Sequence, residues 1–239
     1  MANIFFKFKQ FTVHQEHCAM KVCTDACLFG AINANEIIEY KNALDIGTGT
    51  GLLSLMYAQK HYDCKIDAIE IDEMANKQGI ENSKGSLFKH QISFHFDDIR
   101  SYSKTSLKKY GLIFSNPPFY ANDLKSNDDK RNIAMHGSLL SYTELFKIAS
   151  NLLDDDGKFF ILIPFTLEEK VLETAEKNIL FIIQMIRVKQ TTSHNYFRSI
   201  ICFSKTKLEC KYSEISIKDE TNNYTPEFKL LLKDYYLHL

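Results

Sequence analysis

From residue 43 onward, short apolar runs alternate with longer amphipathic ones: "ALDIG", "GLLSLMYAQK", "KIDAIEI", "EMANKQGIENSK", "ISFHF". Nearly continuous apolar runs suit strands buried on both faces, and parallel strands need a crossover of a dozen or more residues, usually a helix. The alternation therefore predicts βαβ units and an α/β fold with a parallel sheet. It continues through "YGLIFS" as a strand, "YTELFKIASNLL" as a helix closed by the turn "DDDGK", "FFILIPF" as a strand and "LEEKVLETAEKN" as a helix. Two last β-rich runs, "LFIIQMIRV" and "FRSIICFSK", joined by "KQTTSHNY", predict an antiparallel hairpin at the edge. The expected architecture is a Rossmann-like, mostly parallel, seven-stranded doubly wound sheet with an antiparallel edge hairpin and an N-terminal extension.

No Pro/Gly-rich linker interrupts the chain, so 1–239 reads as a single domain in three parts. Residues 1–40 form the extension over the ligand edge, with "IFFKFKQFTV" as a strand or hairpin and "DACLFGAINANEII" as a helix. Residues 41–209 form the core. Residues 210–239 add a short strand, a polar turn and an amphipathic helix starting after Thr225-Pro226, since proline is favoured in a first helical turn.

At 239 residues and 45% hydrophobic content the chain can bury a substantial core. Its formal net charge of -1 means that a polyanionic partner must be met by a local basic patch. No apolar run has membrane-span length, and the first residues lack the pattern of a secretory signal, so a cytoplasmic protein with no membrane partner, acting as a monomer, is expected. Six cysteines without a signal read as reduced thiols. His14, His17, Cys18, Cys23 and Cys27 crowd one stretch, but it holds no C-x-x-C pair and nothing downstream supplies a second ligand pair, so no metal site is expected.

The stretch "LDIGTGTGLLSL" places Asp45, Gly47, Thr48, Gly49 and Gly51 between the first core strand and its helix. Glycines permit a sharp turn and close ligand approach. The spacing is G-x-G-x-G rather than the G-x-G-x-x-G of dinucleotide binders, and no cluster of cations follows to cradle phosphates. Glu70, followed by Ile71, ends the next strand about twenty residues on, where a carboxylate can accept both ribose hydroxyls. A nucleoside without pyrophosphate satisfies both facts, and S-adenosylmethionine is the commonest such ligand. Asp98, after the third core strand, is read either as an acceptor for an adenine amino group or as a helix cap, with Asp97 as its neighbour and competitor. Asp72 reads as a cap.

The stretch "SNPPF" follows the fourth core strand, at the same carboxyl edge of the sheet. Pro117 and Pro118 fix φ and remove two donors, leaving a rigid set of carbonyl acceptors. Asn116 adds a side-chain carbonyl, and Phe119 a flat face for a planar ring. An amino group conjugated to such a ring is a poor nucleophile. With its two hydrogens held by the Asn116 side chain and the Pro117 carbonyl, its nitrogen can pyramidalise towards a methyl donor, so Asn116 to Phe119 are the expected catalytic residues. A turn built from asparagine and prolines is the bland alternative.

Between Asn178 and Leu208 there is no Asp or Glu, while Arg187, Lys189, Arg198, Lys205 and Lys207 are interleaved with His194, Tyr196 and Phe197. Such interleaving suits a phosphate backbone and unstacked bases; a solvated hairpin is the alternative. Lys7 and Lys9 alternate with Phe6 and Phe8 and could join the patch. The polar run after the motif, with Arg131 and His136, could close over a flipped base.

In this order, "LDIGTGTG", "EID" and "SNPPF" resemble the class I S-adenosylmethionine-dependent methyltransferases with an Asn-Pro-Pro-aromatic motif. The N-terminal "FKFKQFTVHQEHCAMKVCTDACLFGA" and the ending "YTPEFKLLLKDYYL" resemble one branch of them, the bacterial tRNA (adenine-N6) methyltransferases that act on adenosine 37 of a valine tRNA. The resemblance implies a cytoplasmic enzyme, S-adenosylmethionine as cofactor and a tRNA anticodon loop as partner. It further implies that Asp45, Gly47, Gly49, Gly51, Glu70 and Asp98 hold the cofactor, and that Lys21, Thr24 and Asp25 lie over it. Cys23 and Ala26 stand where that family often has glycine. Methylation of another planar amino group, on protein glutamine, rRNA or DNA, and a non-catalytic RNA-binding module are the competing readings.

Overall fold

A computed structural model describes residues 3–16, 18, 21–118 and 140–239. Phe119, Arg131 and His136, expected around the acceptor base, lie outside the described residues.

The central sheet contains β3 (Asn42–Ile46), β4 (Lys65–Glu70), β5 (Ile92–Phe96), β6 (Tyr110–Ser115), β7 (Leu153–Pro164), β8 (Phe181–Thr191), β9 (Tyr196–Ser204) and β10 (Lys211–Lys218). Its order is β10-β8-β9-β7-β6-β3-β4-β5. Only β9 runs against its neighbours, pairing antiparallel with β7 and β8. A separate antiparallel pair joins β1 (Phe5–Lys7) and β2 (Thr12–His14). Among the described residues the helices are α1 (Thr24–Ala34), α2 (Leu52–Ala58), α3 (Glu73–Lys84), α4 (Ile99–Thr105), α5 (Tyr142–Leu152), α6 (Glu168–Lys177) and α7 (Pro226–Leu232).

The sheet thus has eight strands rather than seven, and the β8–β9 hairpin is not its edge. β10 adds in parallel to β8, in register from Lys211–Gln184 to Lys218–Thr191. Its polar, mostly exposed sequence suits an outer strand with one face in water. The expected turn "DDDGK" is instead absorbed into β7: pairing with β6 jumps from Tyr110–Leu153 to Leu112–Lys158, and Asp154, Asp155 and Asp156 bulge into solvent.

Side chains alternate across each buried strand, so one strand feeds two cores. On β7, Phe160 and Leu162 join α1, α2 and the N-terminal hairpin, while Phe159, Ile161 and Ile163 join α5 and α6. α1 is buried from Asp25 to Ala34, as expected for a helix apolar on nearly all sides. Both ends of the chain pack beside it. Phe8 stacks on Phe11 with centroids 4.6 Å apart, Lys9 N–H donates to the Tyr235 carbonyl at 2.8 Å, and the Tyr235 hydroxyl donates to the Met56 carbonyl at 3.0 Å. α7 begins as its sequence predicts: Pro226 opens the helix and the Thr225 side chain accepts from Phe228 N–H.

Candidate active site

The loop between β3 and α2 turns through three glycines with positive φ: Gly47 at 73°, Gly49 at 54° and Gly51 at 80°. A side chain costs least in this region as hydrogen, and at Gly51 a Cβ would also stand 2.9 Å from the Phe94 ring. At Gly47 and Gly49 a Cβ would meet nothing within 4 Å, so these two backbones face open space. The loop is fastened at several points. Gly47 and Thr48 N–H donate to the Ile69 carbonyl at 2.9 and 3.1 Å, and Gly49 N–H donates to Glu70 Oε2 at 2.8 Å. Beneath it Asp45 is fully buried, its Oδ2 accepting the Thr48 and Ser54 hydroxyls at 2.7 Å each. Burial pushes the Asp45 carboxyl up to about 6, against the pull of those two hydrogen bonds.

Glu70 spans two turns, since its other oxygen accepts Asp72 N–H at 2.9 Å. Asp72 in turn caps α3 by accepting Ala75 N–H at 2.8 Å. Asp98 caps α4 by accepting Arg100 N–H at 2.8 Å and also pairs with the Arg100 side chain at 2.7 Å. Those Arg100 hydrogen bonds hold its carboxyl below the usual range. Asp98 therefore performs the capping role while still facing the cavity.

That cavity, about 260 Å³, runs along the carboxyl edge of the sheet from the glycine loop to the end of β6. Ile46, Ile69, Ile71, Leu52, Leu53 and Ile99 supply apolar walls. Among the described residues four carboxylates line it, Glu70, Asp72, Asp97 and Asp98, against two cations, Lys21 and Arg100. Asn116, Pro117 and Pro118 form its far end; Asn116 is half-buried, Pro117 buried and Pro118 exposed. β3 and β6 are paired neighbours, with Ile46 opposite Ser115, and the Ser115 hydroxyl donates to the Ile46 carbonyl at 2.8 Å. This bond locks the two motif-bearing strand ends side by side.

Residues 25–182 match the family of methyltransferase small domains. The chain is 41% identical to a tRNA1(Val) (adenine(37)-N6)-methyltransferase of Christiangramia forsetii, over 100% of both chains. A protein of the same description from Bacteroides fragilis is 38% identical, again over 100% of both. Among solved structures, a predicted O-methyltransferase of Agrobacterium tumefaciens superposes with a TM-score of 0.68 at 10% identity, covering 87% of this chain and 95% of that one. The chain belongs to the tRNA1(Val) (adenine(37)-N6)-methyltransferase family.

In this methyltransferase Lys21, Gly47, Thr48, Gly49, Glu70, Ile71, Asp98 and Asn116 to Pro118 all line one cavity. Asp45, Gly51 and Thr24 do not: Asp45 braces the loop from behind, Gly51 sits at the N-cap of α2, and Thr24 opens α1. Val22, Ala75, Arg100 and Leu140 line it without having been singled out, as does Cys18, which was weighed only as a metal ligand. Of these only Arg100 carried a signal, two residues beyond a capping aspartate.

The expected basic face has a different electrostatic character. Arg187 pairs with Glu168 at 2.8 Å, Lys189 with Glu214 at 3.5 Å and Arg198 with Asp25 at 2.8 Å. The interleaving with aromatic rings is present, with the Lys189 ammonium 4.8 Å from the Tyr196 ring centre and the Arg187 guanidinium 5.5 Å from that of Phe165. The pairing carboxylates lie outside the acid-free window of the sequence and reach it only through folding. Lys7 is exposed on β1, and Lys9 Nζ donates to the Lys233 carbonyl. The six cysteines are free thiols, and burial pushes Cys18 up to about 11 and Cys23 to about 12. Among the described residues, no group of three His, Cys, Asp or Glu side chains is placed to hold a metal ion, and no helix is long and apolar enough to cross a membrane.

Proposed function

We propose that this enzyme transfers a methyl group from S-adenosylmethionine to the N6 amino group of adenosine 37 in the anticodon loop of a valine tRNA, in the cytoplasm. The observation that carries the reading is one continuous cavity with the glycine loop at one end and Asn116 to Pro118 at the other. The donor set fits the cofactor. A lining with four carboxylates and two cations favours a sulfonium and an ammonium and opposes a pyrophosphate. Each Glu70 oxygen has given one lone pair to a backbone N–H and keeps another for a ribose hydroxyl.

S-adenosylmethionine, when bound, supplies a methyl group activated by positive sulfur. The protein's part is orientation and electrostatics. Gly47 and Gly49 would admit the cofactor where their backbones face open space, Glu70 would hold its ribose hydroxyls, and Ile71 and Ile99 would supply apolar cover for its base. Asn116 and the Pro117 carbonyl accept the two hydrogens of the acceptor amino group, which frees the nitrogen lone pair for attack. An anticodon-loop adenosine reaches this end at less cost than a duplex base, because less stacking and pairing is lost.

Nucleoside mass spectrometry of valine tRNA from cells with and without the gene tests the reading. The expected result is loss of N6-methyladenosine at position 37 in the deletion strain. Incubation with labelled cofactor and either total tRNA or protein separates the rival acceptors: label confined to protein would overturn the tRNA assignment.

A further inference from the structure

One wall of the cavity is contributed by Cys18, Lys21 and Val22, which lie between β2 and α1 in the chain. Val22 and Cys23 pack against the core, and polar fasteners hold the flanking residues on either side. At one end Gln15 is buried, and its Oε1 accepts Val22 N–H at 2.7 Å while its Nε2 donates to the Asn3 carbonyl at 2.9 Å. Beside it Asn82 of α3 accepts His14 N–H at 2.9 Å and donates to the His14 carbonyl at 2.9 Å and to the Thr50 carbonyl at 3.0 Å. β2 is thereby tied to the glycine loop.

The other end is held across the molecule. Asp25, in the first turn of α1, accepts from Arg198 Nε at 2.8 Å, a contact spanning 173 residues of sequence. Arg198 is rooted in the sheet, opposite Pro164 on one side and Val188 on the other. The two side chains are 10% and 23% exposed, so the pair is shielded enough to outrank an open surface ion pair.

We infer that Asp25 and Arg198 form a positioning pair: by fixing the first turn of α1 they hold the adjoining Lys21 and Val22 against the cavity and so set the affinity for the cofactor. This rests on the reading of the cavity as the S-adenosylmethionine site. It gives Arg198 a role other than a phosphate contact, and assigns Asp25 one that the sequence left open.

Calorimetric titration of S-adenosylmethionine into Asp25→Asn, Arg198→Gln and Arg198→Lys, with steady-state kinetics on tRNA, tests it. Asp25→Asn and Arg198→Gln should each raise the cofactor Kd about tenfold, the effect of losing one partner of a shielded charged hydrogen bond, with kcat at saturating cofactor and KM for tRNA within about threefold of the parent. Arg198→Lys, which keeps the charge, should recover most of the affinity. The double variant Asp25→Asn/Arg198→Gln should be no worse than either single one, since partners in one bond are not additive. A raised KM for tRNA with unchanged cofactor Kd would overturn the proposal and return Arg198 to RNA contact. If Arg198→Gln does not fold, Asp25→Asn and Arg198→Lys decide the matter by the same readouts. Gly49→Val separates the two levels of reading. Unchanged cofactor binding in that variant would remove the cavity assignment and this inference together, whereas its loss beside unaltered Asp25→Asn binding would remove the inference alone.

Discussion

The two ends of the cavity are built by different means. At the glycine loop the ligand-facing surface is backbone, shaped by three positive-φ glycines, stitched to Ile69 and Glu70 and braced from below by buried Asp45. At the far end it is three consecutive residues, Asn116 to Pro118, placed by the end of β6 and by two prolines that limit their own conformations. A backbone cradle tolerates almost no side-chain variation but spreads its task over many bonds. A tripeptide at a strand end concentrates its task in one amide. Binding and chemistry should therefore be separable by mutation.

The largest effect is expected at the acceptor end. Asn116→Ala should lower kcat by roughly a thousandfold, comparable to losing one preorganised polar contact in the transition state, while cofactor Kd stays within about threefold. Single-turnover kinetics with calorimetry will show it. Equal collapse of both quantities would break the division between the two ends. Gly51→Val probes the other end, where a side chain meets both φ of 80° and a ring carbon at 2.9 Å. The left-handed strain and the overpacking together should cost roughly 2–5 kcal/mol of stability, read by urea denaturation, and weaken cofactor binding. Asn116→Ala, by contrast, should leave the denaturation midpoint where it was.

The smallest effect concerns Asp45 and depends on pH. Its folded carboxyl is raised by burial from 3.8 to about 6, so the folded state binds that proton more tightly than the unfolded chain. The associated stability is present below pH 4 and is lost as pH rises through about 6. Asp45→Asn does not titrate, so its stability relative to the parent should improve between pH 4 and pH 7 by at most about 3 kcal/mol. Denaturation at both pH values measures this. A flat difference would mean that the Thr48 and Ser54 hydroxyls offset the burial.

Much of the glycine-loop end was legible because its information is local. A G-x-G-x-G loop between a strand and a helix demands positive φ whatever surrounds it, and Glu70 follows from the length of one βαβ unit. The same holds for "SNPP", whose lack of donors is a property of the residues themselves. The basic window was read less fully. Residues 178 to 208 contain no acid, yet Glu168, Glu214 and Asp25 pair with Arg187, Lys189 and Arg198 from outside it. Net charge along a segment says little about charge in space once strands bring distant residues within hydrogen-bonding reach. Asp45 illustrates the same limit, since its motif does not reveal its depth: it is fully buried behind the loop, where it accepts the Thr48 and Ser54 hydroxyls.

By itself the sequence determined the α/β alternation, the glycine turn, the donor-poor stretch Asn116 to Pro118 and the cap at Thr225, because each depends on backbone conformations and periodicities set within a few residues. Only the tertiary structure decided that β10 would extend the sheet beyond the hairpin, that Gln15 and Asn82 would fasten the N-terminal segment to the glycine loop, and that Arg198 would meet Asp25. These contacts join residues far apart in the chain. Their strength comes from shared burial and complementary polar groups, which exist only once the strands have taken their order in the sheet.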